Sequence, residues 1–532
     1  MLSKRLPYIA IPCLLVASCL FTIGCGGKSV LTTTMEIPRL DSGPISGRLE
    51  DGVWSYKGIP YAAPPVGELR WKEPQPVAAW EEVRACTEYG PACPQPTSSD
   101  WSGVMSTAGT DEDCLYLNVW TPAESPQEDL PVMVWIHGGA FNSGAGSQGI
   151  YDGHDLAQEG VVVVTINYRL GPLGFLAHPL LSEESPHGVS GNYGLLDQVA
   201  ALEWVQENID AFGGDPDTVT VFGQSAGAIS ILGLMVSPLA EGLFERAIVE
   251  SGPLLDFGLP ITGVPTLEEA EKTGVEISQK LGCDKEEGEL AAMREVPAER
   301  LVQVASSAGG LFGPVNLLPN VDGYLLPETP WTAFAAGKQR AVPLLTGINA
   351  NEGNIFLPPA TAQQAQFLAS YLYGDYADEV MALYPVQTDE GVKAAMDRLV
   401  TQMGFAASAR FTAECMEEVG APAYLYLFSQ VPPDARAQAL GSFHGLEILY
   451  VFGTLDKVGA QGLTDADYAL SEAMMTYWSD FAKSGDPNGQ GVPYWPACTR
   501  ETNQYQELRN PITTGSGLFQ PAYDLVRQIK GV

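Results

Sequence analysis

Four valines, a threonine and an isoleucine follow one another in Gly160-Val-Val-Val-Val-Thr-Ile-Asn167, with no polar alternation. A β-branched run of that kind is the pattern of a strand covered on both faces. Pro131-Val-Met-Val-Trp-Ile136 reads the same way, and Arg246-Ala-Ile-Val249, Val342-Pro-Leu-Leu345 and Ala423-Tyr-Leu-Tyr-Leu-Phe428 supply further strands. Elsewhere the period changes. From Tyr193 to Ala211, apolar residues at 195, 196, 199, 202 and 205 have helical spacing. Ala226 to Val236 is small and apolar all round, which predicts a buried helix. Leu470, Met474, Trp478 and Phe481 form one helical stripe, stopped by Gly485 and Pro487. Its aromatics read as core and not as cofactor contacts.

Length alone, at 532 residues, suggests three domains. No linker, repeat or low-complexity block separates them, and the prolines and glycines are spread as in a loop-rich enzyme. The first 24 residues read as an export signal: Lys4 and Arg5, an apolar run, then small residues. A transmembrane anchor fits less well, because Pro7 and Pro12 interrupt a short run. Ile23-Gly24-Cys25-Gly26-Gly27-Lys28 has the look of a bacterial lipoprotein junction. Cys25 is then the lipid acceptor and 25–35 a tether, with Cys19 in Val16-Ala-Ser-Cys19 as the alternative. The expectation is an exported protein: a bacterial membrane lipoprotein attached through an N-terminal lipid, or a periplasmic or secreted one.

A formal charge of −36 repels nucleic acid and leaves no expectation of a nucleic-acid partner. The acids are interspersed, as in a solvated, salt-tolerant surface. Nine cysteines in an exported chain invite a disulfide reading. None clusters with histidine at zinc spacing, and no glycine run forms a phosphate loop, so neither metal nor cofactor is expected.

The chemistry is concentrated in Gly223-Gln224-Ser225-Ala226-Gly227, preceded by Thr218-Val-Thr-Val-Phe222 and followed by the small-residue helix. Strand, sharp turn and helix in that order form the setting of a nucleophile elbow, which lifts a serine hydroxyl above a sheet edge. Taken alone the motif is also an ordinary Gly-Ser turn. A second feature adds weight: the strand ending at Ile136 runs into His137-Gly138-Gly139-Ala140-Phe141, where such architectures place an oxyanion loop. The triad in these folds runs serine, acid, histidine. Histidines stand at 137, 154, 178, 187 and 444, and only His444 follows Ser225. Many acids between 225 and 444 could complete the set.

The chain resembles the type-B carboxylesterases, a family that includes cholinesterases and bacterial para-nitrobenzyl esterases. The resemblance is carried by Lys57-Gly-Ile-Pro-Tyr-Ala-Ala-Pro-Pro65, Leu69-Arg-Trp71, Glu112-Asp-Cys-Leu-Tyr-Leu-Asn118, Asn167-Tyr-Arg-Leu-Gly171 and Gly194-Leu-Leu-Asp-Gln198. It continues through Gly213-Gly-Asp-Pro216, Asn351-Glu-Gly353 and His444-Gly-Leu-Glu-Ile448. It implies one α/β-hydrolase domain over 36–532, with a large, mostly parallel central sheet flanked by helices. It also implies a serine carboxylesterase that cleaves small-molecule esters through an acyl-enzyme. A polyester- or toxin-degrading esterase and a non-catalytic adhesion protein of the same fold are the rivals. The resemblance selects Glu352 as the acid, with Asp322 as fallback, and the backbone amides of Gly139, Ala140 and Ala226 as oxyanion donors. It further implies a Cys93–Cys114 disulfide and the ion pairs Arg70–Glu112 and Arg169–Asp197. The family's second disulfide is broken: Cys283 has no cysteine near Ala292-Met-Arg294. Choline specificity is not implied, since Gln224 replaces the acid before the nucleophile; Trp101 lies near, but not at, the place of the choline-stacking tryptophan. Gly313 and Val315 fall where cholinesterases narrow the acyl pocket, which implies short to medium acyl chains and branched or aryl alcohols.

Overall fold

A computed structural model describes residues 34–96, 109–254, 263–285, 288–307, 317–357, 360–458 and 462–531. The leader with Cys19 and Cys25, Trp101, and the pair Gly313 and Val315 lie outside the described residues.

Among the described residues eleven strands form the main sheet. In chain order they are β1 (Arg48–Glu50), β2 (Val53–Pro60), β3 (Tyr116–Thr121), β4 (Leu130–Ile136), β5 (Val162–Ile166), β6 (Gly214–Gln224), β7 (Arg246–Glu250), β8 (Leu344–Asn349), β9 (Ala423–Phe428), β10 (Gln504–Leu508) and β11 (Thr513–Ser516). Their spatial order is β1-β2-β3-β5-β4-β6-β7-β8-β9-β10-β11. From β5 across to β10 every pairing is parallel, while β1 to β3 and β11 close the edges antiparallel. The parallel centre puts the carboxyl ends of β4, β6, β7, β8 and β9 on one rim. Loops after parallel strands on that rim are where open α/β sheets gather their chemistry.

The continuous apolar runs are explained by two cores, one on each face. Along β5, Val162, Val164 and Ile166 join one core and Val163 the other; along β6, Val219 and Val221 oppose Phe222. Burying each such side chain contributes about 1.5–3 kcal/mol. Three helices matter to the site: α1 (Tyr193–Asn208), α2 (Ala226–Leu234) and α3 (Asp465–Ser484). The helical pattern to Ala211 changes character at its end, where residues 209–212 tighten into a 3₁₀ turn and Gly213 turns left-handed at φ 73°. The strand anticipated from Val342 begins only at Leu344, because Pro343 has no N–H to give the ladder. The α3 stripe is core, as expected: Leu470, Met474, Trp478 and Phe481 are all buried, and Gly485 caps the helix at φ 76°.

Candidate active site

Ser225 stands where β6 hands over to α2. Its backbone takes φ 56° and ψ −119°, a conformation that costs a non-glycine residue about 1–3 kcal/mol. The two motif glycines allow the turn. A Cβ on Gly223 would lie 2.6 Å from the Ile136 carbonyl oxygen, and one on Gly227 only 1.9 Å from the same atom. Both positions are pressed against the end of β4, so nothing larger than hydrogen fits. The Ser225 N–H donates to the Glu250 carbonyl at 2.9 Å, tying the elbow to the end of β7.

The loop leaving β4 lies over this elbow. A Cβ on Gly138 would meet the Gln224 carbonyl at 2.8 Å and Ser225 Cβ at 3.1 Å. Gly139, Ala140 and Phe141 follow with φ of 111°, 54° and 60°. Hydrogen bonds from Asn142 N and Ser143 N to the Gly139 carbonyl, at 3.0 and 3.1 Å, and from Asn142 Nδ2 to the Ala140 carbonyl, at 2.9 Å, hold that shape. Among the described residues the N–H groups of Gly139 and Ala140 have no protein acceptor. Ala226 opens α2, where an N–H has no intrahelical acceptor. The N–H groups of Gly139, Ala140 and Ala226 are thus left without a backbone acceptor among the described residues.

Glu352 and His444 come together across 92 residues of chain. His444 Nδ1 is 2.5 Å from Glu352 Oε2. Glu352 is fully buried in the turn after β8, and its other oxygen accepts from Ser251 Oγ at 2.6 Å and Asn349 N at 2.7 Å. The Glu352 N–H donates to Thr401 Oγ1 at 3.0 Å, from a π-helical stretch at Val400–Ala406. Phe356 and Phe405 pack on the His444 ring, at 4.8 and 5.3 Å between centroids. With Nδ1–H given to Glu352, Nε2 keeps the lone pair a general base needs. Its hydrogen-bond partner is Gln224 Nε2 at 3.0 Å, and no hydrogen bond joins it to Ser225 Oγ among the described residues. Serine–base bonds of this kind are often long until substrate packs against them.

Other candidates fall into structural places. Asp322 Oδ1 accepts from the backbone N–H groups of Tyr324, Leu325 and Leu326, and Oδ2 from Asn192 Nδ2, so it organises a turn. His137 is fully buried, bonded through Nδ1 to the Gly138 carbonyl at 2.8 Å and stacked on Tyr168; burial pushes its pKa down to about 4. Cys93 and Cys114 are disulfide-bonded; Cys86, Cys415 and Cys498 are free thiols, and they and Cys283 are buried. Both implied ion pairs are present and bidentate: Arg70 Nε and Nη2 on Glu112, and Arg169 Nε and Nη2 on Asp197 at 2.8 and 2.7 Å. Among the described residues no histidine, cysteine and carboxylate group is arranged to hold a metal ion.

The sequence pattern does not single out Ser251, Asn349 or Thr401, nor the contact of Gln224 with His444. Ser251 lies one residue past β7, Asn349 ends β8 and Gln224 sits inside the nucleophile motif, while Thr401, in its π-helical stretch, carries no sequence signal. A cavity of about 510 Å³, walled by both polar and apolar residues, runs along α2, bordered by Phe141, Ile229, Leu254, Trp331, Glu269 and Lys530; Ser225 and His444 are not among its lining residues.

A parallel sheet with this strand order, carrying an elbow serine and a glycine loop on the carboxyl rim, makes the protein an α/β-hydrolase. Solved structures of PNB esterase share the architecture: one superposes with a TM-score of 0.79 at 39% identity, covering 93% of this chain and 100% of that one. The carboxylesterase family profile matches residues 33–526, and the chain belongs to that family and is a carboxylic ester hydrolase. It is 40% identical over 491 residues to the fumonisin B1 esterase of Sphingopyxis macrogoltabida, spanning 90% of this chain and 87% of that protein. To the para-nitrobenzyl esterase of Bacillus subtilis (strain 168) it is 40% identical over 497 residues, spanning 90% and 96%.

Proposed function

We propose that ester cleavage runs through Ser225, His444 and Glu352. The observation that carries this is the 2.5 Å contact between His444 Nδ1 and a fully buried Glu352, on the rim that holds the strained Ser225 elbow. Neutral His444 takes the Ser225 proton through Nε2 as the serine oxygen attacks the ester carbonyl. Glu352 keeps the imidazole in the required tautomer and stabilises the imidazolium formed. The N–H groups of Gly139, Ala140 and Ala226 receive the oxyanion, each such donor typically contributing about 3 kcal/mol to barrier lowering. The imidazolium then protonates the departing alcohol. Water, activated by the same histidine, releases the acid and restores the serine.

The cavity along α2 lies within the range of about 300–1,000 Å³ usual for small-molecule sites, in keeping with a small-molecule ester. A toxin ester is a second reading, and the relative named for fumonisin B1 hydrolysis is what favours it.

With a nitrophenyl ester, wild type should show a burst of nitrophenol equal to the enzyme added. Ser225→Ala and His444→Ala should each lose about 10⁴–10⁶-fold in kcat, because the group acts as a unit. Retention of activity within tenfold in either variant would remove the proposal. Loss in Asp322→Ala with near-normal activity in Glu352→Ala would move the acid role to Asp322.

A further inference from the structure

Two carboxyl side chains stand behind the Glu352–His444 pair and take no part in the steps above. Glu250 ends β7, and Glu447 lies three residues after His444; both are fully buried. Each has one satisfied oxygen. Trp478 Nε1 donates to Glu250 Oε1 at 2.8 Å, and Asn349 Nδ2 donates to Glu447 Oε2. Their second oxygens, Glu250 Oε2 and Glu447 Oε1, are buried and receive no hydrogen bond among the described residues.

An ionised carboxylate in such a place costs several kcal/mol, and the usual outcome is that the group stays protonated instead. The hydrogen bonds each accepts offer only partial relief. The charges acting on Glu447 are those of Glu250 and Glu352, both of the wrong sign. The other titratable groups that feel the two carboxyls are Tyr151 and Tyr426, whose hydroxyls burial keeps uncharged. Burial pushes Glu250 up to about 8, while burial and then the two neighbouring carboxylates raise Glu447 well above the usual range. Two acids in mutual contact through their fields titrate as a pair.

Asn349 links this pair to the reacting groups. Its N–H holds Glu352 Oε1 at 2.7 Å, and its side-chain amide bonds both Glu447 and the Phe443 carbonyl, the residue before His444. A charge on Glu447 would thus act one residue away from both members of the couple. Carboxylates near an imidazole favour its protonated form, and a histidine held as imidazolium cannot take a proton from serine.

We propose that Glu250 and Glu447 are a proton-holding carboxyl pair, a positioning device that leaves Glu352 the single carboxylate serving His444 and braces it through Asn349. The inference rests on the triad proposed above. In these terms the pair is silent at neutral pH and becomes a liability above it. The sign follows from linkage: a carboxyl with a raised folded-state pKa contributes stability that is fully present below its unfolded-state value and is lost as pH rises from that value to the folded one.

Infrared spectroscopy of the intact protein tests the protonation state without substrate, so failure of the triad would leave the result readable. At pH 7 wild type should retain a protonated-carboxyl C=O band, which the double variant Glu250→Gln/Glu447→Gln should lack. The wild-type thermal midpoint should decline as pH rises from 4.5 towards about 8, and kcat should fall as pH passes about 8, with the protonated population dropping about tenfold per further pH unit. KM should change less. In Glu250→Gln and in Glu447→Gln the alkaline fall should weaken, because one of the two late charges is gone, and in the double variant it should be absent, while the acid limb of kcat/KM stays in place. Absence of the carboxyl band at pH 7, or an acid limb displaced downward by about a unit in either variant, would show ionised carboxylates and overturn the proposal. If one variant fails to fold, the other and the wild-type spectrum still decide.

Discussion

The surroundings of the proposed nucleophile at the end of β6 are backbone, whereas those of the proposed acid after β8 are mostly side chains. Ser225 is shaped by the Ile136 carbonyl pressed on Gly223 and Gly227, and by the Glu250 carbonyl taking its N–H. Glu352 is shaped by a hydroxyl from Ser251, another from Thr401 and an amide whose side chain reaches Glu447. The difference teaches where specificity is written. Backbone contact at less than van der Waals distance for a Cβ can be met only by glycine, so the elbow shows itself as five consecutive letters. Side-chain contact can be met from anywhere, and here Ser251 lies 101 residues from Glu352 and Thr401 lies 49 away.

The sharpest way to break the comparison is a methyl group. Gly227→Ala would set a carbon 1.9 Å from the Ile136 oxygen, forcing β4 and α2 apart. Destabilisation of more than about 3 kcal/mol is expected, at or beyond the top of the overpacking range, with activity lost. Gly445 makes the control: it sits beside His444 at φ 85°, yet a Cβ there would meet nothing closer than Ile448 Cδ1 at 3.6 Å. Gly445→Ala should cost only the left-handed backbone term, about 1–2 kcal/mol. Thermal unfolding of the two variants measures the difference, and equal losses would show that contact is not what the motif glycine serves.

The same contrast decides how much of the molecule is legible in the amino-acid sequence. The strands are legible because burial on both faces leaves an unbroken β-branched run, as in Val162–Ile166. The elbow and the loop after Ile136 are legible because close backbone approach demands glycine. His444 follows from chain order, since no other histidine lies after Ser225. The acid is not legible from the residues themselves, and only the resemblance separates Glu352 from its competitors; in the structure Asp322 is occupied by three backbone N–H groups of its own turn. Glu250 carries a faint signal, a charged residue closing an apolar strand, whose meaning depends on Trp478 some 228 positions away.

A smaller effect sharpens the side-chain half. Ser251→Ala removes one of the two hydrogen bonds on Glu352 Oε1 and leaves that from Asn349 N. A hydrogen bond to a charged group contributes about 1.5–3 kcal/mol, so kcat should fall roughly 10- to 150-fold with little change in KM. Steady-state kinetics at saturating ester measure this. An unaltered kcat would mean that Asn349 alone fixes the carboxylate, and the side-chain cage would be looser than the distances imply.

The smallest expected effect falls on the one side chain that belongs to both halves. Gln224 is the last residue of β6, placed by backbone pairing, and its amide meets His444 Nε2 at 3.0 Å, on the lone pair that accepts the serine proton in the proposed mechanism. A neutral hydrogen bond of this kind is worth about 0.5–1.5 kcal/mol. Gln224→Leu should therefore shift kcat/KM by less than about 15-fold. Gln224→Glu is the more telling change, since it keeps the shape and adds a charge. A carboxylate beside Nε2 favours imidazolium, so the acid limb of the pH–rate profile should move upward by about one unit or more. The neutral-pair variants Glu250→Gln and Glu447→Gln are expected to leave that limb in place, although they alter acids in the same buried region. If Gln224→Glu leaves the limb where it was, Gln224 does not face His444 in the working enzyme, and the backbone of β6 positions the serine without touching its base.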